Sequence, residues 1–482
     1  MPLAAAVGLV AGILVFAATF ALPPPAGLSP AGWHVAGLAL AMAIWWSSEP
    51  VPIAVTALLP VAVLPLVGAG DIGTAAAPYA NPLLFLFMGG FLLAAGVKRW
   101  GLHRRLAHSV VRAVGTEPHR LVLGFMAASG FLSMWVSNTA AVVLMLPVAI
   151  SIVTVVEGLQ RDAGEARRFA LALLLGIAYA ASIGGMGTLI GTPPNALLAG
   201  YLWQQHGIDL SFAAWAAVAM PLVLLFLPLA WLVLTRLVFP LSSGFAAALK
   251  AGGLARNIAV DGPMTPAQRR VGLVFACAAA LWIVRPLLNR VPGLENLSDP
   301  GIAVLGASAL FLIPSGMATD RRFLMTWREA QEIPWQVLIL FGGGLSLAAA
   351  MDASGLAAWI GQGLAGLGDL PALLFLLALA ATVVMLTELA SNTATVAALL
   401  PIVATIAAGA GMDLVVVSAA IAMAASCAFM LPVATPPNAL VFATGHVTVA
   451  AMVRAGLLMN LLSIVLVALA ALALSPLLPR AG

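Results

Sequence analysis

Two polar clusters with the residue types of an ion-binding site interrupt an otherwise apolar chain of 482 residues. Ser-Asn-Thr occurs at 137–139, within SMWVSNTAAVVLMLP (133–147), and again at 391–393, within TELASNTATVAALLP (387–401). Hydroxyl groups, side-chain amides and the free N–H groups at a helix start are donors that suit an anion. The same interruptions free backbone carbonyls, which together with hydroxyl oxygens are hard ligands for a small cation. The two clusters therefore predict binding of an anion, a small cation, or both.

A second motif, Thr-Pro-Pro-Asn, follows each cluster, in LIGTPPNAL (189–197) and PVATPPNAL (432–440). Proline cannot donate to the helical hydrogen-bond ladder, so each motif predicts a broken helix. The two Ser-Asn-Thr segments align without gaps at an offset of 254 residues (391 − 137), and FMGGFLLAAGVKRWGL (87–102) matches FGGGLSLAAAMDASGL (341–356) at the same offset. Helix capping alone explains a single Ser-Asn-Thr. Four breaks in matched order instead indicate an internal repeat that encloses a polar cavity.

The composition places these motifs in a membrane. Hydrophobic residues make up 63% of the chain and charged residues 8%, against roughly 25% charged residues in soluble domains. The mean hydropathy is +1.10. The net charge of +4 comes from basic residues scattered through short loops, which excludes a nucleic-acid-binding patch. Cys277 and Cys427 lie in apolar runs, so we expect both to pack in the interior rather than form a disulfide or metal site.

Apolar runs long enough to cross a bilayer, which takes about 20 residues, predict eleven membrane spans. No Lys or Arg precedes the first run, which we therefore interpret as a retained span rather than a signal peptide. The runs lie near 3–21, 32–47, 50–68, 82–97, 168–190, 212–239, 270–287, 300–315, 334–351, 413–433 and 449–476. Two longer apolar stretches, 121–157 and 371–410, contain Ser-Asn-Thr in their middle.

The basic residues predict how these two stretches enter the membrane. Both flanks of 121–157 are basic, whereas the flanks of 371–410 contain aspartates and no Lys or Arg. Because basic loops stay in the cytoplasm, the first stretch is predicted to be a hairpin that enters from the cytoplasm, and the second one that enters from outside. The N-terminus is then cytoplasmic and the C-terminus outside. The cytoplasmic assignments rest on Lys98, Arg99, Arg104, Arg105, Arg112, Arg120, Arg161, Arg167, Arg168, Lys250, Arg256, Arg269, Arg321, Arg322 and Arg328, and the exceptions to them are Arg285, Arg290 and Arg480.

The predicted architecture is an all-α polytopic membrane protein built from two inverted-topology repeats. In chain order it has a first transmembrane helix (1–31), a first repeat (32–240) with a hairpin (121–157) and a broken helix (168–200), a cytoplasmic linker (241–269), and a second repeat (270–482) with a hairpin (371–410) and a broken helix (413–444). Opposed repeats whose broken elements meet in the middle of the membrane are typical of secondary transporters.

The charges near the motifs indicate which ion accompanies the anion. No Lys or Arg lies at either Ser-Asn-Thr cluster, so the balancing positive charge must arrive with the anion, which predicts cation-coupled anion transport. Proton coupling usually uses intramembrane Asp, Glu or His. Among these residue types only Glu388 is plainly inside a hairpin, where its counterpart in the first repeat is Met134, and we expect it to hydrogen-bond to the hairpin backbone rather than carry protons. Na⁺ is therefore preferred to H⁺, since the histidines lie at span ends or in loops, at His34, His103, His108, His119, His206 and His446.

Paired Ser-Asn-Thr hairpins, each followed by a Thr-Pro-Pro-Asn break, resemble the divalent-anion:sodium symporter family, which includes sodium-coupled di- and tricarboxylate transporters. The resemblance covers nearly the whole chain. It implies about eleven transmembrane helices, two re-entrant hairpins, a homodimer in the cytoplasmic membrane and an elevator-type movement. It also implies symport of Na⁺ with a small dianionic carboxylate of the succinate, malate or fumarate class, with Na⁺ at two or more sites and no organic cofactor.

The resemblance further implies which residues bind each ligand. The first sodium site would use Ser133, Ser137, Asn138 and Gly191, and the second Thr387, Ala390, Asn392 and Ala434. The substrate carboxylates would meet Ser137, Asn138, Thr139, Thr192, Ser391, Asn392, Thr393, Thr435 and Pro436. The two clusters differ at Thr395, whose counterpart is Ala141, and this difference leaves the preferred anion open.

Other functions stay open at this point. A dicarboxylate exchanger, or a sodium-coupled tricarboxylate or sulfate transporter, would have the same architecture, as would an arsenite, citrate–metal or proton-coupled carboxylate carrier. An intramembrane enzyme is disfavoured because the sequence has no HExxH motif and no Ser–His pair in matched spans. An anion channel is disfavoured because paired cation and anion ligands indicate coupled binding.

Overall fold

The computed structural model describes residues 3–102, 105, 109, 117–159, 163–242, 262–317, 323–363, 371–409 and 412–479. Within these residues the fold is helical, and the β-pairing is limited to an isolated bridge between Pro314 and Phe323. Residues 243–261 of the predicted cytoplasmic linker lie outside the described part. So do several residues that entered the predicted topology and histidine placement: His103, Arg104, His108, Arg112, Arg161, Lys250, Arg256, Arg321, Arg322 and Arg480.

The helices fall into two series, one in each half of the chain. The first series is α1 (Leu3–Ala21), α2 (Pro30–Ser48), α3 (Ile53–Ala57), α4 (Leu59–Leu66), α5 (Ile72–Ala76), α6 (Pro82–Arg99), α7 (Pro118–Ser133), α8 (Asn138–Leu159), α9 (Ala163–Gly185), α10 (Pro193–His206) and α11 (Phe212–Leu232), which continues as a π-helix (Val233–Val238). The second series is α12 (Pro266–Leu288), α13 (Asp299–Leu312), α14 (Trp327–Ala330), α15 (Trp335–Ala353), α16 (Leu356–Gly363), α17 (Ala372–Thr387), α18 (Asn392–Gly409), α19 (Leu414–Ala425), α20 (Pro436–Phe442) and α21 (Val449–Ala473).

Many of these helices are apolar enough for a membrane interior. In the described part of the chain, seven helices are long and apolar enough to cross a bilayer, and six apolar helical stretches are shorter. The span predicted at 50–68 corresponds to one of the shorter apolar stretches (Ile53–Leu66), which is divided into α3 and α4 at Leu58. Pro60 stands in the first turn of α4 and Pro65 lies inside it, and each proline removes a ladder hydrogen bond. A multi-helix membrane fold is confirmed, whereas the number of eleven spans stays a prediction.

Each predicted hairpin and each predicted broken helix is a pair of helices with a non-helical connection. In the hairpins, α7 and α8 flank the first tip (134–137), and α17 and α18 flank the second tip (388–391). In the broken helices, α9 and α10 flank the first break (186–192), and α19 and α20 flank the second break (426–435). Two prolines open both α10 and α20, as the missing proline N–H groups allow at a helix start.

The two halves exchange the ends of their broken helices. Helix α10 of the first half packs against α18 and α19 of the second, and α20 of the second half packs against α8 and α9 of the first. The breaks themselves approach each other, since Cys427 Sγ lies 3.9 Å from Met186 Sδ. In addition, the Tyr179 hydroxyl of α9 donates a 2.7 Å hydrogen bond to the carbonyl of Phe429 in the second break. This reciprocal packing buries the first break, whereas the second break is buried at its start and exposed at Val433.

Two expectations about single residues need correction. Arg285, which departs from the positive-inside pattern, lies in a buried ion-pair cluster: its Nε is 2.7 Å from Asp299 Oδ1, and its guanidinium is 3.3 Å from Asp209 Oδ2. Because these carboxylates neutralise its charge, Arg285 contributes to helix packing and does not indicate on which side of the membrane its segment lies. Cys427 is buried as expected, whereas Cys277 is exposed, because α12 turns most of its apolar surface away from the other helices.

Candidate functional site

The first tip places Ser133 and Asn138 in direct contact. Ser133, the last residue of α7, donates its hydroxyl to Asn138 Oδ1 over 2.6 Å, and Asn138 opens α8. Between them, Ser137 Oγ accepts the N–H of Ala140 at 3.3 Å, which is the geometry of an N-cap. Ser133 is buried, Asn138 and Thr139 are half-buried, and Ser137 is exposed. The tip therefore presents side-chain oxygens beside the free N–H groups of a helix start.

Two glycines at the first break bring backbone carbonyls to this tip. A Cβ on Gly191 would lie 2.4 Å from the Gly185 carbonyl oxygen and 3.0 Å from that of Ser133, and a Cβ on Gly185 would lie 2.4 Å from Asn138 Oδ1. We call these three oxygens (Ser133 O, Gly185 O and Asn138 Oδ1) the first oxygen cluster. Of the predicted sodium residues, the structure brings Ser133, Asn138 and Gly191 together. It adds Gly185, which sequence reasoning missed because a carbonyl leaves no signature in residue type.

An equivalent group of oxygens lies in the second half. Thr387 Oγ1, fully buried, is 2.7 Å from Asn392 Oδ1 and 2.9 Å from the carbonyl oxygen of Ala425. We call these three atoms the second oxygen cluster. A hydroxyl has a single proton, so it cannot donate fully to both neighbours, and a cation would satisfy the remaining lone pairs. The predicted residues Ala390 and Ala434 lie in the adjacent turns, where their N–H groups donate to the carbonyls of Leu386 and Leu431. Since their side chains are apolar, only their backbone carbonyls could bind a cation.

The predicted substrate residues stand at the starts of four helices. Ser137–Thr139 begin α8, and Ser391–Thr393 begin α18. Thr192 is buried immediately before α10. Thr435 caps α20 by accepting a backbone N–H at 3.2 Å, and Pro436 is exposed at the first position of that helix. At α8 and α18, unpaired N–H groups and the helix dipole attract an anion. Helices α10 and α20 begin with two prolines, which have no N–H, so there the threonine hydroxyls and the helix dipole are what can attract it.

The asparagines that close the Thr-Pro-Pro-Asn motifs have a role that sequence reasoning missed. Asn195 Nδ2 lies within 2.8–3.2 Å of three carbonyls of the first break, those of Gly185, Met186 and Thr188. Asn438 Nδ2 donates to the equivalent carbonyls of the second break, at residues 428 (3.1 Å) and 431 (3.0 Å). Both asparagines are fully buried. Each therefore satisfies carbonyls that the broken helix has freed, and Asn195 orients the Gly185 carbonyl of the first oxygen cluster.

Glu388 hydrogen-bonds to backbone, as predicted, but not to the backbone of its own hairpin. Its Oε1 accepts the N–H groups of Phe429 (2.7 Å) and Met430 (2.8 Å) and the amide of Asn460 (2.8 Å), and its Oε2 accepts the N–H of Leu431 (3.1 Å). Only 4% of Glu388 is exposed. The carboxylate thus joins the second tip to the second break and to α21.

A cavity of about 280 Å³ opens beside the first tip. Its wall includes Ser137 and, at the other end, the charged side chains of Lys98, Arg99, Glu329 and Glu332. Arg99 is ion-paired with Glu329 at 3.3 Å, whereas Lys98 is exposed. The cavity therefore connects the exposed N-cap serine to the C-terminal end of α6, which the positive-inside pattern assigns to the cytoplasm.

Comparison with known proteins places the chain among sodium-linked transporters. Residues 3–478 match the family model described as "Sodium:sulfate symporter transmembrane region". The chain is 40% identical over 476 residues to a sodium-dependent dicarboxylate transporter, SdcS, of Staphylococcus saprophyticus, covering 98% of this chain and 91% of that relative. It is 39% identical to the SdcS of Staphylococcus aureus strain USA300, covering 96% of this chain and 90% of that one. These matches confirm the resemblance drawn from the paired motifs.

Two solved structures share the fold at low sequence identity. The YdaH transporter of Alcanivorax borkumensis superimposes with a TM-score of 0.62 at 17% identity, over 99% of this chain and 100% of that one. MtrF of Neisseria gonorrhoeae, from a class of antimetabolite efflux pumps, gives a TM-score of 0.57 at 13% identity, over 97% and 95% of the two chains. The likeness extends over the whole helical body and concerns the fold alone.

Proposed function

Since the chain belongs to the sodium:sulfate symporter transmembrane-region family, we propose that it is a secondary active transporter that couples Na⁺ to the import of a small dicarboxylate. Succinate, malate and fumarate are the substrates that we expect. Relatives that carry the name sodium-dependent dicarboxylate transporter, at 39–40% identity over nearly the full chain, support this choice of ion and substrate.

The observation that carries the proposal is the pair of oxygen clusters, one in each half and built from equivalent residues. Ser133 with Asn138, and Thr387 with Asn392, each put a hydroxyl within 2.6–2.7 Å of an amide oxygen. Their donor atoms are neutral oxygens, which suit a monovalent hard cation, whereas Ca²⁺ sites usually include carboxylates. We therefore propose Na⁺ at Ser133, Ser137, Asn138, Gly191 and the added Gly185 carbonyl, and at Thr387, Ala390, Asn392, Ala434 and the added Ala425 carbonyl.

The substrate would lie between the helix starts that bear the Ser-Asn-Thr trios. Hydroxyls, amides and free N–H groups at Ser137–Thr139 and Ser391–Thr393, and the hydroxyls of Thr192 and Thr435, would bind its carboxylates. Pro436, which has no N–H, would contact the substrate without donating a hydrogen bond. These donors are neutral, so two bound Na⁺ ions would supply the charge that balances the dianion. Binding of anion and cation would then be interdependent, which is the thermodynamic requirement for coupling.

An elevator-type movement and a homodimer, both implied by the family resemblance, form part of the proposal. The hairpins and broken helices pack on one another across the two halves, through α10 with α18 and α20 with α8, and would move as one body. The cavity from Ser137 to Lys98 would be the open access path on the cytoplasmic side. The proposed orientation has the N-terminus in the cytoplasm and the C-terminus outside.

The test is uptake by the purified protein in liposomes. Labelled succinate, citrate and sulfate are offered with external Na⁺, Li⁺ or K⁺, with and without internal unlabelled dicarboxylate. We expect Na⁺-dependent succinate uptake into liposomes that contain no dicarboxylate, with competition by malate and fumarate. Uptake that needs internal dicarboxylate and ignores Na⁺ would identify an exchanger instead and refute the symport proposal.

Two substitutions test the site residues. Asn138→Ala and Asn392→Ala should each abolish uptake, because each removes an oxygen from a proposed sodium site and a donor from the substrate site. Thr154→Ala is the matched control on α8, since the Thr154 hydroxyl bonds to the carbonyl of residue 150 within its own helix. Wild-type uptake by either asparagine variant would refute the site assignment.

A further inference from the structure

The two halves differ in charge at one position next to the oxygen clusters. Glu388 directly follows Thr387, whereas the equivalent residue in the first half, Met134, directly follows Ser133. Both side chains are buried, at 4% and 7% exposure. Among the positions that differ between the two tips, this is the one where a charged side chain replaces an apolar one.

The Glu388 carboxylate replaces part of the helical ladder that the second break has lost. Residues 426–435 are non-helical, and three successive N–H groups, those of residues 429, 430 and 431, point to the carboxylate at 2.7–3.1 Å. A run of backbone N–H groups turned to one side forms an anion-binding concavity. A carboxylate from the neighbouring hairpin fills this concavity.

Asn460 fixes the carboxylate from the opposite side. Its Nδ2 donates to Glu388 Oε1 over 2.8 Å, and it is fully buried on α21. All four contacts are donors. The tip, the break and α21 are thus joined through one carboxyl group.

The first half makes the equivalent connection without a charge. There the Thr188 hydroxyl of the first break donates to the backbone carbonyl of Met134. Both halves therefore hold a hairpin tip against a break. Only in the second half does the link place a negative charge beside the oxygen cluster.

We propose that Glu388 is a positioning residue for the second cation site and makes that site bind Na⁺ more tightly than the first. The four hydrogen bonds to Glu388 hold the second tip against the second break. As a result Thr387 Oγ1, Asn392 Oδ1 and the Ala425 carbonyl converge. Its fixed charge attracts a cation at that cluster, because a charge in a poorly screened interior acts over several ångströms. This inference rests on the proposed Na⁺ coupling.

The test compares the Na⁺ concentration that gives half-maximal succinate uptake in liposomes. Glu388→Gln keeps the size of the side chain but removes the charge, and should raise that concentration at least fivefold, while uptake at saturating Na⁺ falls less. Glu117→Gln is the matched control, since it removes the same charge from the exposed start of α7, where Glu117 pairs with Arg120 at 2.9 Å. Its half-saturating Na⁺ should stay within twofold of wild type.

Two further variants separate charge from packing. Glu388→Asp keeps the charge and should recover much of the wild-type Na⁺ dependence. Asn460→Ala keeps Glu388 but removes one of the three donors to its Oε1, and should raise half-saturating Na⁺ about two- to threefold. If Glu388→Gln does not fold, as judged by gel filtration, Asn460→Ala decides the outcome. An unchanged Na⁺ dependence in the folded variants, with clear Na⁺ stimulation of the wild type, would overturn this inference alone. A wild type that ignores Na⁺ would overturn the proposed function as well.

Discussion

Substituting Gly191 by alanine would place a methyl group inside the first oxygen cluster. The added Cβ would lie 2.4 Å from the Gly185 carbonyl oxygen and 3.0 Å from the Ser133 carbonyl oxygen. An ordinary contact between carbon and oxygen is about 3.3 Å or longer, so the backbone would have to give by roughly 1 Å. Both oxygens belong to backbone, which cannot rotate away as a side chain could. The methyl group would also occupy the space in which a cation is proposed to bind.

The size of the effect follows from these overlaps. Forcing an extra methyl group into a packed interior costs about 1–3 kcal/mol of folding stability. The backbone relieves this strain by moving the two carbonyls, and where that movement takes the same amount from the free energy of cation binding, affinity weakens about 5- to 150-fold. We expect half-saturating Na⁺ for succinate uptake to rise by a factor in this range, with the larger values where the cation is also displaced. Because cation and anion binding are proposed to be coupled, the apparent KM for succinate at fixed Na⁺ should rise with it.

Gly200→Ala provides the matched control for this prediction. Gly200 lies on α10, nine residues after Gly191 (200 − 191), and a Cβ there would lie 3.2 Å from Leu345 Cδ1, the far end of a flexible side chain. This variant should transport with a Na⁺ dependence close to that of wild type. A folded Gly191→Ala protein with unchanged Na⁺ dependence would refute the assignment of the first oxygen cluster as a cation site.

Three further outcomes can be measured on the same preparation. Asn438→Ala should lower the thermal unfolding midpoint in detergent, because it leaves the buried carbonyl of Ala428 unpaired, at a cost of about 1–3 kcal/mol. A midpoint equal to that of wild type would contradict the role of Asn438 at the second break. Lys98→Gln should raise the KM for succinate a few-fold in liposomes that expose the C-terminal side of α6, and the increase should be smaller at high salt. A KM equal to that of wild type would show that Lys98 does not lie on the access path. Asp299→Asn should lower the free energy of unfolding by up to about 3–5 kcal/mol, since it leaves Asp209 as the only carboxylate paired with the buried Arg285. An unchanged free energy of unfolding would show that Asp209 alone neutralises Arg285.

The sequence predicts the elements of the site far better than the contacts between them. The motifs alone locate both tips and both breaks, because Ser-Asn-Thr and Pro-Pro interrupt helices for local reasons. The family resemblance, not the spacing, supplied the hydroxyl–amide pairs, Ser133 with Asn138 and Thr387 with Asn392, as members of the same sodium sites, and each pair is in contact across its tip. The division of 50–68 could have been predicted from Pro60 and Pro65, which a pattern based on hydropathy alone overlooks.

What the sequence does not specify is which distant backbone groups complete each cluster. The carbonyls of Gly185 and Ala425 belong to residues with no polar side chain, 52 residues after Ser133 (185 − 133) and 38 after Thr387 (425 − 387). The contacts of Glu388 could not be predicted for a related reason. Its acidic side chain was visible in the sequence, but three of its four partners are backbone N–H groups 41 to 43 residues away, which every residue except proline possesses. The sequence therefore identifies the polar side chain of such a contact. Which backbone carbonyl or N–H group becomes its partner is decided by how the helices pack.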